Sequence, residues 1–241
     1  KTLADFAPLA EYLSGVLGRP VRIESAPDLT KFWQQLATQR YPLVHMNQYH
    51  YVKAHKLFGY EPIAMNVEFG RATLSGALVT RKGSGISQLQ QLKGGTIVFG
   101  GGREAMQSYI LPKYLLKRAG MAPGEYTERV ASNQSNAIKS VAWKQGSAAT
   151  TGDSCFLQES SETVAGLQFL IKSERLPHLP WAVSPAMSAT ERARLKNALL
   201  AAAKAAPAAL ERAGLTGFAP ARDGDYDRHR RIVGDVLGEY Y

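Results

Sequence analysis

The sequence is poor in the features that mark several large classes of protein. Its only cysteine is Cys155, so no disulfide can form within the chain. No apolar run approaches the roughly 20 residues that span a bilayer. The 29 lysines and arginines are scattered, without a basic block or a basic stripe interleaved with aromatic residues. We therefore expect no nucleic acid among its partners.

Familiar catalytic and metal-binding patterns are also missing. The chain has no G-x-S-x-G, no H-E-x-x-H and no phosphate-binding Walker pattern, so we expect no catalytic residues and no cofactor. His45, His50 and His55 invite interpretation as a metal site, but a spacing of five places successive residues about 140° apart on a helix. Zinc and copper need convergent ligands, and the sequence therefore predicts no metal site.

What the chain does have is a large positive charge and a composition suited to a buried core. Its net charge is +9, with a pI of about 9.6, which favours anionic partners. Hydrophobic residues make up 45% of the 241 residues. That is enough for one large core or for two cores of roughly 100 residues each.

Helical and strand-like patterns alternate along most of the chain. A helix is predicted over 2–17, a strand at 20–25, a helix capped by Asp28, and a strand in "YPLVHMN". Ser188 and Glu191 form a capping box that opens a long alanine-rich helix. This order predicts an α/β fold with a largely parallel sheet.

The middle of the chain reads as a self-contained unit between two extended crossings. We predict one lobe formed by 1–78 together with 177–241, and a second lobe formed by 79–176. Two α/β lobes joined in this way would leave a cleft between them. Ligand sites favour such a cleft and the carboxyl ends of parallel strands.

The stretch "TIVFGGGREAMQSYILPKYLLKRAG", at 96–120, combines a short strand, three glycines and a helix start. Glycines let backbone N–H groups approach a ligand, and a helix N-terminus attracts negative charge. Gly100, Gly101 and Gly102 could thus cradle an anion together with Arg103. The alternative is a tight turn that packs the helix on its strand, with Arg103 in solvent.

Several segments occur in an order that resembles one family. They are "FAPLAEYLSGVLGRPV", "YPLVHMNQYHYVKAH", "GYEPIA", "QLKGGTIVFGGGREAMQSYILPKYLLKRAG", "NAIKSVAWKQGSAA" and "LPHLPWAVSP". Together they resemble the phosphate/phosphite/phosphonate-binding group of periplasmic solute-binding proteins, which serve ABC-type transporters. The resemblance implies a two-lobed type II binding-protein fold, with a mostly parallel sheet in each lobe. It also implies that hinge closure traps a solute and that a membrane permease is the partner.

The resemblance also implies where the ligand contacts lie. In the first lobe they follow a strand end, and in the second lobe they follow the glycine turn and a later short strand. The implied residues are His45, Asn47, Tyr49, Tyr51, Gly101, Gly102, Arg103, Glu104, Ala105, Met106, Gln107, Tyr109, Asp153 and Ser154. Cys155 is interpreted as a small buried residue, with binding of a soft solute as the alternative.

One expectation and two alternatives describe the ligand and the function. Aligned on Pro112, the family's hydroxyl residues fall on Ala105, Met106 and Gln107, and the first two offer no donor to an oxyanion. We therefore expect an apolar or amphipathic, lipid-like ligand. The first alternative is a small oxyanion held by Arg103, the glycine turn and His45. The second is an enzyme on the same fold.

The start of the chain and its location complete the expectations. Lys1 stands where a methionine would begin a native chain, and the family normally has a strand before the first helix. We interpret the chain as processed or trimmed, with its signal peptide removed. We expect a periplasmic monomer that binds a small-molecule or lipid-like ligand and delivers it to a permease or another envelope transport component.

Overall fold

The computed structural model describes residues 3–241. Its helices are α1 (Leu3–Leu17), α2 (Leu29–Ala37), α3 (Gln48–Phe58), α4 (Leu111–Arg118), α5 (Gln134–Ala142), α6 (Asp153–Gln158), α7 (Ser161–Val164), α8 (Ala189–Ala205), α9 (Pro207–Arg212) and α10 (Asp227–Leu237). Its strands are β1 (Leu43–His45), β2 (Glu61–Val67), β3 (Thr73–Leu74), β4 (Gly76–Arg81), β5 (Thr96–Phe99), β6 (Thr127–Val130), β7 (Ala148–Gly152), β8 (Leu167–Lys172), β9 (Leu176–Pro177), β10 (Pro180–Val183) and β11 (Gly217–Pro220). Helical turns of other types cover Leu89–Leu92, Met106–Ile110 and Asp223–Tyr226. The predicted first helix begins at residue 2, which lies outside the described residues, as does Lys1.

The chain divides into two compact units. The first unit comprises the chain up to Thr73, then Pro177–Asp227 and Tyr241. The second comprises Leu74–Leu176 and Arg228–Tyr240, so most of α10 belongs to it. The lobe boundaries proposed from the sequence, 1–78 with 177–241 and 79–176, stay a prediction.

The sheet of the first unit is antiparallel, which corrects the expectation of a mostly parallel one. Its strand order is β1-β10-β2-β11, and each neighbouring pair is antiparallel. β1 and β2 are joined through α3 and run in the same direction, but β10 lies between them and runs the other way. The strand predicted at 20–25 is also wrong, because the chain forms no strand there.

Helices cover both faces of this first sheet. Trp181 and Val183 of β10 point to a core shared with α1, α8 and α9, while Ala182 points to a core shared with α2 and α3. Successive strand residues face opposite sides, so one short strand contributes to both cores. The predicted caps are confirmed, since Asp28 Oδ1 accepts a hydrogen bond from Lys31 N at 2.7 Å and Ser188 Oγ accepts one from Glu191 N at 3.2 Å.

The sheet of the second unit is mixed. Its order is β6-β5-β7-β4-β8, in which β5 pairs in parallel with β6 and β7, while β4 pairs antiparallel with β7 and β8. In β5, Ile97 and Phe99 pack toward α4, and Val98 packs toward α5. The consecutive residues Ile97, Val98 and Phe99 are all apolar and buried because this strand is covered by helices on both faces.

An open apolar groove runs along α1 in the first unit. It has a volume of about 460 Å³ and is lined by Leu3, Ala4, Ala7, Ala10, Glu11, Ser14, Val21 and Ile23. None of the side chains predicted to bind the ligand lines this groove. Within residues 3–241, no helix combines the length and the apolar character that a membrane span requires.

Candidate functional site

Three parallel strands of the second unit end at the same edge of its sheet. β5 ends at Phe99, β6 at Val130 and β7 at Gly152, and each is followed by a helical segment. The N-terminal turns of these segments therefore begin at this edge, where backbone N–H groups are left without partners inside the helix. In α/β sheets the carboxyl ends of parallel strands are the usual place for a ligand.

The glycine run after β5 is needed for close packing rather than for an unusual backbone. None of its three glycines has a positive φ. Gly100 N donates to Thr150 Oγ1 at 3.0 Å, and a Cβ added at Gly100 would lie 2.6 Å from Thr150 O and 2.8 Å from Gln134 Cα. Only glycine fits there. The first glycine thus holds the ends of β5, β7 and α5 close together.

Gly101 packs closely against Ala105 and a buried hydroxyl group. A Cβ added at Gly101 would lie 2.8 Å from Ala105 Cβ and 3.1 Å from Ser108 Oγ, whereas one added at Gly102 would meet nothing within 4 Å. The Ser108 residue is 1% exposed. Among residues 3–241, no hydrogen bond uses its side-chain oxygen, while its carbonyl oxygen accepts from the Thr150 hydroxyl.

The helix after the glycines opens with a π turn, Met106–Ile110, which holds one residue more than an α-helical turn. Ile110 N donates to Ala105 O at 3.0 Å, and Leu111 N donates to Met106 O. Such turns are rare in proteins as a whole, but those that do occur are often found at functional sites. Met106 is fully buried and presents no exposed surface, and its role as an apolar ligand contact stays a prediction.

Gln134, at the start of α5, was not predicted and joins this helix to the end of β7. Its Oε1 accepts from Gly152 N at 2.6 Å and from Thr151 Oγ1 at 3.0 Å. Asn133 caps α5 by accepting from Asn136 N at 2.8 Å. The signal was present in "SNQSN", a cluster of capping residues directly after a strand. We call Gly100, Gly101, Ser108, Gln134 and Gly152 the strand-end site.

Arg103 and Glu104 follow the glycines but have different surroundings. Arg103 Nη2 lies 2.8 Å from Glu239 Oε1 and 3.3 Å from Leu237 O, and its side chain is 58% exposed. Arg103 therefore binds the chain after α10. Glu104 is half-buried. The geometry gives no support to Arg103 as the cation that holds an anion.

The other predicted residues of the second unit are largely engaged in the structure. Asp153 is buried, accepts from Ser75 N at 2.9 Å and lies 2.6 Å from Arg175 Nη1. Tyr109 packs against Phe99, and burial, followed by a hydrogen bond to Glu128, raises its pKa. Gln107 is buried, with its Cβ 3.4 Å from a Cβ added at Gly152. Ser154 and Cys155 are half-buried on α6.

In the first unit, His45 is held as a neutral ring at the end of β1. Trp181 Nε1 donates to Asn66 Oδ1 at 2.8 Å, so the amide of Asn66 has its NH₂ group to offer to His45 Nε2, 3.2 Å away. His45 Nε2 then accepts, and its proton lies on Nδ1. The ring also stacks on Trp181, with centroids 4.7 Å apart. A neutral imidazole is a weaker partner for an anion than a cation would be.

The remaining first-unit residues mostly serve α3 and the core. Asn47 caps α3 by accepting from His50 N at 2.9 Å. Tyr49 is 2% exposed. Tyr51 is fully buried and donates to Asp223 Oδ1 at 2.6 Å.

The three histidines considered as a metal site, His45, His50 and His55, have separate surroundings. His45 stacks on Trp181, His50 packs against the rings of Phe32 and Trp33, and His55 lies 3.4 Å from Glu61. Among the described residues, no three His, Cys, Asp or Glu side chains are placed to hold a metal ion.

The strand-end site offers neutral donors to a ligand. A hydroxyl group and backbone N–H groups at the helix starts lie beside the glycines, while the predicted cation Arg103 binds Glu239. Hydrogen bonds from neutral groups to a charged oxygen remain strong where water is excluded. This chemistry suits a compact oxyanion better than a hydrocarbon chain.

Comparison with known families gives one match over most of the chain. The family described as "ABC transporter, phosphonate, periplasmic substrate-binding protein" matches residues 1–226. The matched region includes the whole strand-end site and stops directly before α10.

Solved structures with the same fold include several binding proteins. PhnD1 from Prochlorococcus marinus in complex with methylphosphonate has a TM-score of 0.82 at 16% identity, over 98% of this chain and 92% of that chain. A binding protein component of an ABC phosphonate transporter from Pseudomonas aeruginosa has a TM-score of 0.80 at 18% identity, over 97% and 81%. A Xanthomonas citri protein bound to ATP has a TM-score of 0.80 at 20% identity, over 97% and 93%. These likenesses confirm the predicted α/β fold of two-lobed periplasmic binding proteins.

Proposed function

Because the chain belongs to the family of periplasmic substrate-binding proteins of ABC phosphonate transporters, we propose that it captures a phosphonate- or phosphate-like oxyanion for such a transporter. The family implies a periplasmic location and a membrane permease as partner. The ligand class is our inference from the strand-end site. The observation that carries it is the Ser108 hydroxyl, which faces the bare backbone of Gly101 and which no hydrogen bond between residues 3–241 uses.

The anion would be held by hydrogen bonds from uncharged groups. Ser108 Oγ supplies a hydroxyl donor, and the turns that follow β5 and β6 supply backbone N–H groups. The partial positive charge of each helix start adds to the attraction, which is greatest for compact, highly charged groups. Gln134 fixes the spacing of this edge through its contacts with Gly152 and Thr151.

The lipid-like ligand expected from the sequence has no support in the family or in the placement of its key side chains. That expectation depended on Met106 and on the nearby tyrosines as an apolar lining. Met106 is fully buried, Tyr51 is bonded to Asp223, and Tyr109 is packed on Phe99. Ser108 supplies the hydroxyl that Ala105 and Met106 lack, which is why the oxyanion alternative is preferred here.

A ligand screen on protein freed of any bound solute tests the proposal. The arms are methylphosphonate, inorganic phosphate, sulfate, ATP and a total lipid extract, each followed by thermal unfolding and then by calorimetry. A ligand present at 100 times its dissociation constant stabilises the folded state by about 2.7 kcal/mol. We expect stabilisation by methylphosphonate or phosphate. Stabilisation by lipid with indifference to every anion would refute the proposal.

A variant pair then ties binding to the strand-end site. Replacing Ser108 with alanine removes one donor and should raise the dissociation constant about 10-fold, the equivalent of roughly 1.4 kcal/mol. The matched control is Ser140→Ala, whose hydroxyl donates to Asn136 O within α5, away from the strand ends. Equal affinities for the two variants would exclude Ser108 as a ligand contact.

A further inference from the structure

The C-terminal end of α5 carries an exposed tryptophan among several cations. We call Arg81, Arg129, Lys139, Trp143 and Lys144 the α5-end patch. All five residues belong to the second unit, and the oxyanion-binding role proposed above uses none of them.

Two cations of the patch bind carbonyl groups in the last turn of α5 and in the loop that follows it. Arg81 Nη1 donates to Val141 O at 3.1 Å and to Gly146 O at 2.9 Å, and Arg129 Nη2 donates to Gln145 O at 2.6 Å. A helix C-terminus carries about half a negative charge, which these two arginines more than neutralise. The patch therefore stays positive.

The remaining charges add to this excess. Lys139 lies in the last turn of α5, and Lys144 is exposed directly after it. No salt bridge between residues 3–241 includes any of the four cations of the patch. Their combined field is thus available to an anionic surface.

Trp143 is the tryptophan that the fold leaves in water. It is 68% exposed, whereas Trp181 is 7% exposed and stacks on His45. Trp33 packs against Phe32 and Phe58, while among residues 3–241 Trp143 makes no ring contact. A large amphipathic ring with basic neighbours is typical of side chains at the boundary between water and a bilayer.

We propose that the α5-end patch binds the surface of a bilayer that contains anionic phospholipids. The cations attract the phosphate groups, and Trp143 inserts its ring among the headgroups. The basic residues, which form no salt bridges, match the negative charge of this surface. The exposed tryptophan suits its boundary between water and hydrocarbon. The contact keeps the protein close to the membrane independently of the solute that it carries.

Vesicle flotation measures this contact directly. Vesicles with about 30% phosphatidylglycerol in phosphatidylcholine are compared with pure phosphatidylcholine, at low salt and at about 0.5 M salt. We expect binding only to the anionic vesicles, with loss at high salt. Brominated lipid should quench the fluorescence of the wild-type protein and should quench that of Trp143→Phe much less.

Charge reversals at matched positions separate the patch from overall charge. Lys144→Glu and Lys204→Glu change the net charge equally, and Lys204 is exposed on α8 of the first unit. We expect Lys144→Glu to weaken binding by an order of magnitude or more, since each cation near such a surface contributes about fivefold, and Lys204→Glu to weaken it far less. Equal effects of the two variants would overturn the proposal. The absence of binding to anionic vesicles would also overturn the proposal. The same holds if the protein binds only to membranes that hold a permease.

Discussion

Replacing Gly101 with alanine, beside the same replacement at Gly102, tests the strand-end site most directly. Neither glycine has a positive φ, so the added methyl group strains the backbone at neither position. At Gly101 the new Cβ would lie 2.8 Å from Ala105 Cβ and 3.1 Å from Ser108 Oγ. At Gly102 it would meet nothing within 4 Å. The two variants thus differ mainly in whether the added methyl group presses on Ala105 and on the Ser108 hydroxyl.

The expected loss follows from that geometry. Carbon atoms in contact lie about 3.5–4.0 Å apart, so Ala105 and the π turn have to retreat from Gly101 by roughly 0.7–1.2 Å. Ser108 Oγ then loses its place beside Gly101 and can no longer donate to a ligand oxygen there. A lost hydrogen bond to a charged group contributes roughly 1.5–3 kcal/mol, which corresponds to a 10- to 150-fold rise in the dissociation constant.

The assay is calorimetric titration of both variants with methylphosphonate and with phosphate, accompanied by urea unfolding. We expect Gly101→Ala to bind weakly or not at all, while Gly102→Ala keeps the wild-type affinity. Unfolding curves identify any loss of affinity that stems from a damaged fold. A Gly101→Ala protein that binds as tightly as wild type, or a Gly102→Ala protein weakened to the same degree, would refute the placement of the ligand.

Three further predictions concern stability. Burial lowers the pKa of His229 to about 3 from 6.5. Below pH 6.5 the unfolded chain binds a proton that the folded protein excludes, so the unfolding free energy should fall by roughly 2 kcal/mol between pH 6.5 and pH 5. Denaturant titrations should show this pH dependence in wild type and its loss in His229→Gln. Gly100→Ala, which places a Cβ 2.6 Å from Thr150 O, should lower the unfolding free energy by about 1–3 kcal/mol, and an unchanged urea midpoint would contradict the close packing. Arg175→Ala should cost roughly 2–3 kcal/mol because it leaves the buried Asp153 carboxylate without its cation, and adding Asp153→Asn should recover part of that loss.

Much of the fold could be predicted because its signals are local. Asp28 and Ser188 mark helix starts by residue type alone, and the strand, glycine turn and helix at 96–120 occur in the predicted order. The antiparallel pairing of the first unit could not be predicted in the same way. It depends on β10, which comes from about 115 residues beyond β2 and inserts between β1 and β2.

The candidate site shows the same division between local and distant information. The edge of the sheet was predictable from the glycines after β5. The direction of Arg103 was not, because its partner Glu239 lies 136 residues away in sequence. Gln134 was missed because a glutamine after a strand looks like an ordinary helix start. Its importance comes from its contact with Gly152, on a different strand.

The π turn determines which side chain lies beside Gly101. Its one extra residue sets how far the positions before it are rotated around the helix axis. Deleting one residue from Met106–Ile110 would restore an ordinary helical repeat and rotate the preceding positions by about 100°. Ser108 would turn away and a neighbour would take its place. If the proposed role of Ser108 holds, a single-codon insertion or deletion in this segment would change which side chain meets the solute, without any amino-acid substitution.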